Sequence, residues 1–298
     1  MADKFILHMV TPLKHMSPFD VNMALDAGFD AVAPYTNVLL DEVAPLVQDA
    51  IFSRPPKTGV KTGLFIAGKD AILALDMLNS AKSAQVPPFQ LSILADPAGS
   101  FTTAAAMVAC VEKLLKDRKQ RSLKGLRIAV FGATGVVGFS SAVIAALEGA
   151  EVTLVGYDGV GRVGKSAAEI KARFKVDVAV ADGGDEDKKA AILATSEAVF
   201  SAARAGVRIL SGAQIAAAKQ LVVAADVNAV PPAGVEGLDM MANGVELTPG
   251  GALGVGPLAI GNIKYRTESG LFKQMIAATK PVAFDFRDAF ALARELNG

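Results

Sequence analysis

The segment RIAVFGATGVVGFSSAVIAALEGAEVTLV, residues 127–155, limits the possible folds more than any other part of the chain. An apolar strand pattern runs straight into Gly132. Glycine recurs at Gly135 and Gly138, and a helical run rich in small residues then leads to a second apolar strand. Strand, tight turn, helix, strand is the pattern of a parallel βαβ unit. In that context each glycine has a physical role. Gly132 permits the sharp exit from the strand, Gly135 lets backbone approach a pyrophosphate, and Gly138 lets the helix pack close to the sheet. The spacing G-x-x-G-x-x-G is a variant of the usual dinucleotide fingerprint, and a tight turn in a nucleotide-free α/β domain is the competing reading.

The same alternation extends along the chain. FILHMV, FDAVAP, TGLFIAG and QLSIL read as strands separated by helices over 17–27, 41–53 and 70–83, and a helix entered at Thr102 runs to about Lys116. After the charged stretch KDRKQRSLKG the series resumes with RIAVF, EVTLV, VDVAV, EAVFSA and LVVAADV as strands. Helices are expected up to Gly149 and over 165–174, 186–195 and 214–218. A glycine-rich segment from Gly244 to Gly261 precedes helices near 263–279 and 287–296. The expectation is an α/β protein of two domains: residues 1–118, completed by C-terminal helices over 270–298, for substrate, and a Rossmann-like parallel-sheet domain over 119–269.

Composition narrows the function classes. Thirty Lys and Arg balance thirty Asp and Glu, and no basic run carries interleaved aromatics, so nucleic acid is not an expected partner. Charges, Gly and Pro interrupt every apolar stretch before it reaches the length of a membrane span. A single cysteine, Cys110, two histidines and no ligand spacing argue against a disulfide framework or a metal site. With no secretory pattern at the start, the expected compartment is the cytoplasm. His8, inside an apolar strand, reads as a core imidazole or as a catalytic one.

The cofactor loop comprises Gly132, Ala133, Thr134 and Gly135, followed by Val136, Val137 and Gly138 in the first helical turn. Its helix start favours a phosphate. Gly156 stands where an acidic residue usually meets the adenosine ribose. Asp158, two residues on, can accept from ribose hydroxyls, while Arg162 and Lys165 can accommodate a ribose phosphate. NAD is favoured and NADP remains open. Asp226 and Asn228 follow the last strand, where Asn228 can meet the nicotinamide amide or serve as a turn residue. Lys14 and His15, just after the first strand, are candidates for substrate contact. The stretch DPAGSFTTAAA offers hydroxyls at a helix start, either as caps or as a binding edge.

The segments LHMVTPLKHMSPFDVNMALDAG, LADPAGSFTTAAAMVA, ADVNAVPPAGVEGLD and GVGPLAIGNIKYR together resemble the NAD(P)-dependent methylenetetrahydromethanopterin dehydrogenases of methylotrophic bacteria, essentially end to end. The resemblance implies oxidation of methylene-tetrahydromethanopterin to the methenyl form by hydride transfer to NAD or NADP, within one-carbon metabolism and formaldehyde oxidation. It also implies a homo-oligomer, as a trimer. It points to Phe19, Asp20, Thr102, Thr103 and Lys264 as cleft residues around the pterin, with Glu268 orienting Lys264. Phe19 offers a flat apolar surface and Asp20 can accept from aminopyrimidine N–H groups. Read as ordinary helix features, Phe19 is a hydrophobic staple, Asp20 a first-turn charge, and Lys264 with Glu268 a solvated i, i+4 pair.

No nucleophile and base pairing and no carboxylate pair stands out, as suits a reaction in which placement and field do the chemistry. Two other readings stay open: a methylene-tetrahydrofolate dehydrogenase, and a non-catalytic NAD-binding module.

Overall fold

A computed structural model describes residues 3–248 and 251–298. Pro249 and Gly250, within the glycine-rich segment, and the first two residues of the expected first domain lie outside the described residues. The chain divides into two compact units, Met1–Thr102 with Tyr265–Leu292, and Thr103–Lys264 with Ala293–Gly298.

The first unit opens with β1 (Ile6–Val10), α1 (Pro18–Ala27), β2 (Ala31–Tyr35), α2 (Val43–Phe52), α3 (Pro56–Gly59), β3 (Thr62–Ile66), α4 (Ala71–Ser83) and β4 (Ser92–Ala95). Local chemistry sets these boundaries. Ser17 caps α1 by accepting from the Asp20 N–H, and Gly28 at φ 117° ends it; Asp70 caps α4 by accepting from the Leu73 N–H at 2.8 Å. β3 is buried along its whole length, as expected of a central parallel strand covered on both faces.

Helix α5 (Ser100–Lys119) follows, and then β5 (Arg127–Phe131), α6 (Val136–Leu147), β6 (Glu151–Gly156), α7 (Gly161–Phe174), β7 (Ala179–Asp182), α8 (Glu186–Thr195), β8 (Ala198–Ser201), α9 (Gly212–Ala217) and β9 (Val223–Asp226). A short hairpin-like pair, β10 (Asn243–Glu246) and β11 (Leu253–Val255), precedes α10 (Pro257–Ala277), β12 (Ala283–Phe284) and α11 (Phe286–Asn297).

The first sheet has the order β12-β4-β3-β1-β2 and is parallel throughout. β12 is too short to be read from periodicity; it exists because Ala283 and Phe284 pair with Ile93 and Leu94. The second sheet runs β10-β11-β9-β8-β5-β6-β7 and is parallel except for the β10–β11 pair. Within it, β7-β6-β5-β8-β9 is the strand order of a dinucleotide-binding unit, with the topological switch between β5 and β8. The α/β class expected from the alternation is therefore present. The glycine-rich segment, to which no element is assigned from the sequence, holds most of β10, all of β11 and the first residues of α10.

Aromatic packing centres the first unit. Phe272 of α10 lies edge-on to Phe29 at 6.1 Å and tilted against Phe65 at 5.5 Å, while Phe101 meets Phe286 edge-on at 5.1 Å. Such pairs add about 0.5–1.5 kcal/mol each beyond the area they bury. In the second unit, Phe131, Val155, Val199, Leu210, Ala224 and Val235 share one apolar cluster.

One helix is unusually apolar for its length. The stretch Pro97–Lys119 forms a helix long and apolar enough, by length and hydropathy, to cross a membrane. Two thirds of its apolar window is buried inside the protein, and Phe101, Ala104, Ala105, Ala106, Met107, Val108 and Val111 are wholly inaccessible. Its hydropathy is accounted for by burial within the fold.

Candidate dinucleotide and substrate sites

At the switch point of the second sheet, β5 ends and Gly132 turns the chain at φ 79°. A Cβ there would collide with the carbonyl of Ala202, which leaves β8, so the loops after β5 and β8 meet backbone to backbone. The Gly135 N–H donates to the Gly132 carbonyl at 3.0 Å and closes the turn. Gly135 then caps α6 without a side chain, leaving the N–H groups of Val136, Val137 and Gly138 in the first helical turn to face an anion. A Cβ on Gly138 would strike the Gly132 carbonyl oxygen, and would lie 2.7 Å from its carbon and 2.8 Å from the Ala133 Cα. The close approach inferred from the spacing is therefore real, and only glycine fits it.

These residues open onto a cavity of about 560 Å³. Gly132, Ala133, Thr134, Gly135, Asp158 and Arg162 line it, joined by residues the sequence reading did not single out: Tyr157, Lys189, Arg204, Val207 and Arg208. The volume lies in the range of small-molecule sites. Four cations and one carboxylate at its wall suit an anionic ligand. Lys189 is held by Glu186 at 2.8 Å and Arg208 by Glu236 at 2.7 Å. Lys165 is exposed on α7 and does not line the cavity. A larger depression of about 740 Å³ includes Arg127 and Glu151, at the starts of β5 and β6. Ligands of open parallel sheets sit at the carboxyl ends, so the smaller cavity is the candidate site.

Beside it, the loop after β9 is tightly organised. The buried Asp226 carboxylate accepts from the N–H groups of Asn228 (3.0 Å), Gly234 (2.7 Å) and Val235 (3.2 Å). Asn228 is itself engaged at both ends of its amide. Its oxygen accepts from Gly206 at 3.1 Å and Val230 at 2.9 Å, and its nitrogen donates to the Pro232 carbonyl at 2.8 Å. The side chain thus ties the loop after β8 to the loop after β9.

In the first unit, Lys14 and His15 are exposed just after β1. Phe19, in the first turn of α1, is half exposed and stands edge-on to the half-exposed Tyr265, ring centroids 6.5 Å apart, whereas the adjacent Asp20 is buried. Tyr265 was not read from sequence, because an aromatic beside a lysine on a helix carries no local signal. Asp96 ends β4, and its carboxylate accepts from the N–H groups of Phe101 (2.8 Å) and Thr102 (3.2 Å) and from the Thr102 hydroxyl (2.6 Å). The cap of α5 is therefore Asp96. Thr102 is fully buried, its hydroxyl within reach of that carboxylate at 2.6 Å and of the Gly99 carbonyl at 3.2 Å; Thr103 is half-buried. On α10, Lys264 is half-buried and Glu268 inaccessible, so the two do not form a solvated surface pair.

His8 lies in the sheet with Nδ1 3.1 Å from the Tyr35 hydroxyl. Burial, followed by the charge of Arg54, holds its pKa below the ordinary imidazole value. Burial pushes the Cys110 thiol up to about 12, which leaves it inert. Among the described residues no group of His, Cys, Asp and Glu has metal-binding geometry.

Residues 18–98 match the family model described as methylene-tetrahydromethanopterin dehydrogenase, N-terminal. The chain is 54% identical over 293 residues, covering 98% of itself and 99% of the relative, to the NAD(P)-dependent methylenetetrahydromethanopterin dehydrogenase of Methylorubrum extorquens.

This chain belongs to the methylenetetrahydromethanopterin dehydrogenase family.

Another member of the comparison, the bifunctional protein MdtA of Methylorubrum extorquens, is 33% identical over 280 residues and 94% of each chain. Among solved structures, quinate dehydrogenase from Corynebacterium glutamicum in complex with NAD aligns over 98% of this chain and 99% of its own, with a TM-score of 0.55 at 13% identity. At that identity the likeness concerns the fold alone. The methylenetetrahydromethanopterin dehydrogenase family model covers the segment holding Phe19, Asp20 and Asp96, while the glycine cradle lies beyond it.

Proposed function

We propose that this chain oxidises methylene-tetrahydromethanopterin to methenyl-tetrahydromethanopterin with NAD or NADP as acceptor, a cytoplasmic step of one-carbon metabolism and formaldehyde oxidation. The observation that carries this reading is 54% identity, along almost the whole chain, to a dehydrogenase named for that pterin. A dinucleotide held by Gly132–Gly138 would supply a hydride acceptor for the methylene carbon, and the two flanking nitrogens of the pterin would spread the resulting positive charge.

The remaining work is placement. We assign dinucleotide binding to the second unit. The first turn of α6 faces the pyrophosphate, and no residue other than glycine is tolerated at Gly132 and Gly138 without backbone movement. Asp226 and Asn228 hold the two loops at the carboxyl edge in register. Pterin binding is assigned to the first unit. There Phe19 with Tyr265 offers an apolar aromatic surface and Asp20 accepts from the aminopyrimidine; on α10, Lys264, the last residue of the second unit before Tyr265, is assigned to a pterin oxygen with Glu268 orienting it. Lys14 and His15 lie at the same carboxyl edge, suited to the outer part of the substrate. Thr102 acts through Asp96 by fixing the start of α5, next to Thr103.

The test is NADH or NADPH formation by the purified chain with methylene-tetrahydromethanopterin and, side by side, methylene-tetrahydrofolate. A higher kcat/KM for the methanopterin substrate is the expected result. Absence of turnover under saturating dinucleotide would defeat the assignment, and dinucleotide binding without hydride transfer would favour a non-catalytic module. Light scattering reads the proposed homo-oligomer.

A further inference from the structure

We propose that the open edge of β7 is an interaction surface for a second copy of this chain. The two β7 strands pair antiparallel across a two-fold axis, so that the second sheet runs on from one copy into the other. β7 ends that sheet, and among the described residues its strand partner is β6 alone. The backbone N–H and C=O groups on the outer side of an edge strand are a template for another strand.

Proteins normally blunt such edges, and the other three sheet edges among the described residues are blunted. β2 carries Pro34, which has no N–H to offer a further strand; β12 has two residues; β10 is interrupted by a bulge between Asn243 and Val245. β7 has none of these devices. It lies in residues 176–181, VDVAVA, a run of valine and alanine broken by one acid and free of Pro and Gly. Ala179 is exposed and Val180 keeps 39% of its accessibility, so apolar side chains as well as backbone stand open along this edge.

The charges at the two ends of the strand select the partner. Lys171, Arg173 and Lys175 precede it at the end of α7, while Asp182, Asp185, Glu186 and Asp187 follow it into α8. Several of these are engaged within the chain: Lys171 with Asp177 at 2.6 Å, Arg173 with Glu169 at 2.8 Å, and Lys188 with Asp182 and Asp185 at 2.8 and 3.0 Å. Lys175 and Asp187, both exposed, have no ion pair among the described residues. Antiparallel pairing carries the basic end of each strand to the acidic end of the other. A two-fold centred on Val180 sets Lys175 of each copy opposite Asp185 of the other and close to Asp187, and symmetry makes the contact twice. A pattern complementary to itself is what a contact between identical surfaces requires, and the charges fix its direction. α7 and α8 both pack against β7 and widen the contact beyond the strand, as an interface of about 1,200–2,000 Å² needs. The result is a pair of chains, or a pair of trimers where other surfaces close a trimer.

The test is light scattering on the full chain through a dilution series at micromolar concentrations. The unaltered chain is expected to hold an even number of copies. Val180→Lys puts a charge on the edge and is expected to halve the mass. Lys175→Glu should raise the dissociation constant of the two-fold contact by about tenfold or more, and Lys175→Glu combined with Asp187→Lys should restore most of the affinity. A contact formed elsewhere on the chain would ignore this exchange. An unaltered chain with an odd number of copies, a monomer included, overturns the proposal, as does a folded Val180→Lys chain of unchanged mass. A dissociation constant unmoved by Lys175→Glu overturns it equally, even where Val180→Lys fails to fold.

Discussion

The Thr102 hydroxyl donates to Asp96 Oδ2 across 2.6 Å, and both residues are fully buried. A short bond to a charged acceptor in a place without water is strong, and removing its donor leaves a carboxylate partly unsatisfied. Thr102→Val is therefore expected to cost about 1–3 kcal/mol of stability, read as a lower urea midpoint, with Thr102→Ser restoring most of it. Loss of turnover at unchanged stability would instead mean that this hydroxyl meets the substrate directly.

Gly138 faces the backbone of Gly132 and Ala133, which cannot give way as a flexible side chain would. Gly138→Ala should push α6 off the loop, weakening NAD binding by about tenfold or more and costing about 1–3 kcal/mol through overpacking. Gly164, inside α7 with no atom within 4 Å of a built Cβ, is the control. Gly164→Ala is expected to raise stability by about 0.5–1 kcal/mol, because alanine is the better helix former.

Asn228 ties Gly206, Val230 and Pro232 together. Asn228→Ala removes two acceptor contacts and one donor, so KM for the dinucleotide should rise together with a loss of about 1–3 kcal/mol in stability. Asn228→Asp keeps the acceptor oxygen and is expected to retain the larger share of both. A drop confined to kcat would assign Asn228 to the nicotinamide instead.

His8 makes stability depend on pH. Its folded pKa lies below the ordinary 6.5, chiefly through burial and then through Arg54. As pH falls, the unfolded chain takes up the proton first, so stability declines below about pH 6.5 and levels off once the folded ring also protonates. The urea midpoint should fall between about pH 7.5 and about pH 5.5, and the fall should be smaller in His8→Gln. An identical slope in the variant would place the titration on another group.

Glycine spacing and the alternation of strands with helices carry information locally, which is why the Gly132–Gly138 cradle, the β5-α6-β6 unit and the α/β class are legible in the chain before any contact is known. The Asp70 cap and the Gly28 stop belong to the same group, since their partners lie within four residues. β10, β11 and β12 are different. β12, two residues long, has no period to show, and it and β11 become strands through partners far along the chain, as Ala283 does with Ile93 and Leu253 with Val223, while β10 pairs with β11 alone.

The site divides in the same way. From the order of residues alone come the turn at Gly132, the need for glycine at Gly138 and the absence of an acid at Gly156. Tertiary structure alone decides that Asp96 claims the Thr102 hydroxyl, that Glu268 is buried, that Asn228 spends its amide on two loops, and that Arg162 spans Thr134 and Tyr157. A backbone turn is set by sterics between neighbours in sequence. The state of a side chain is set by which distant atoms exclude water from it and which accept its protons, and those atoms are chosen only when the sheets and helices pack.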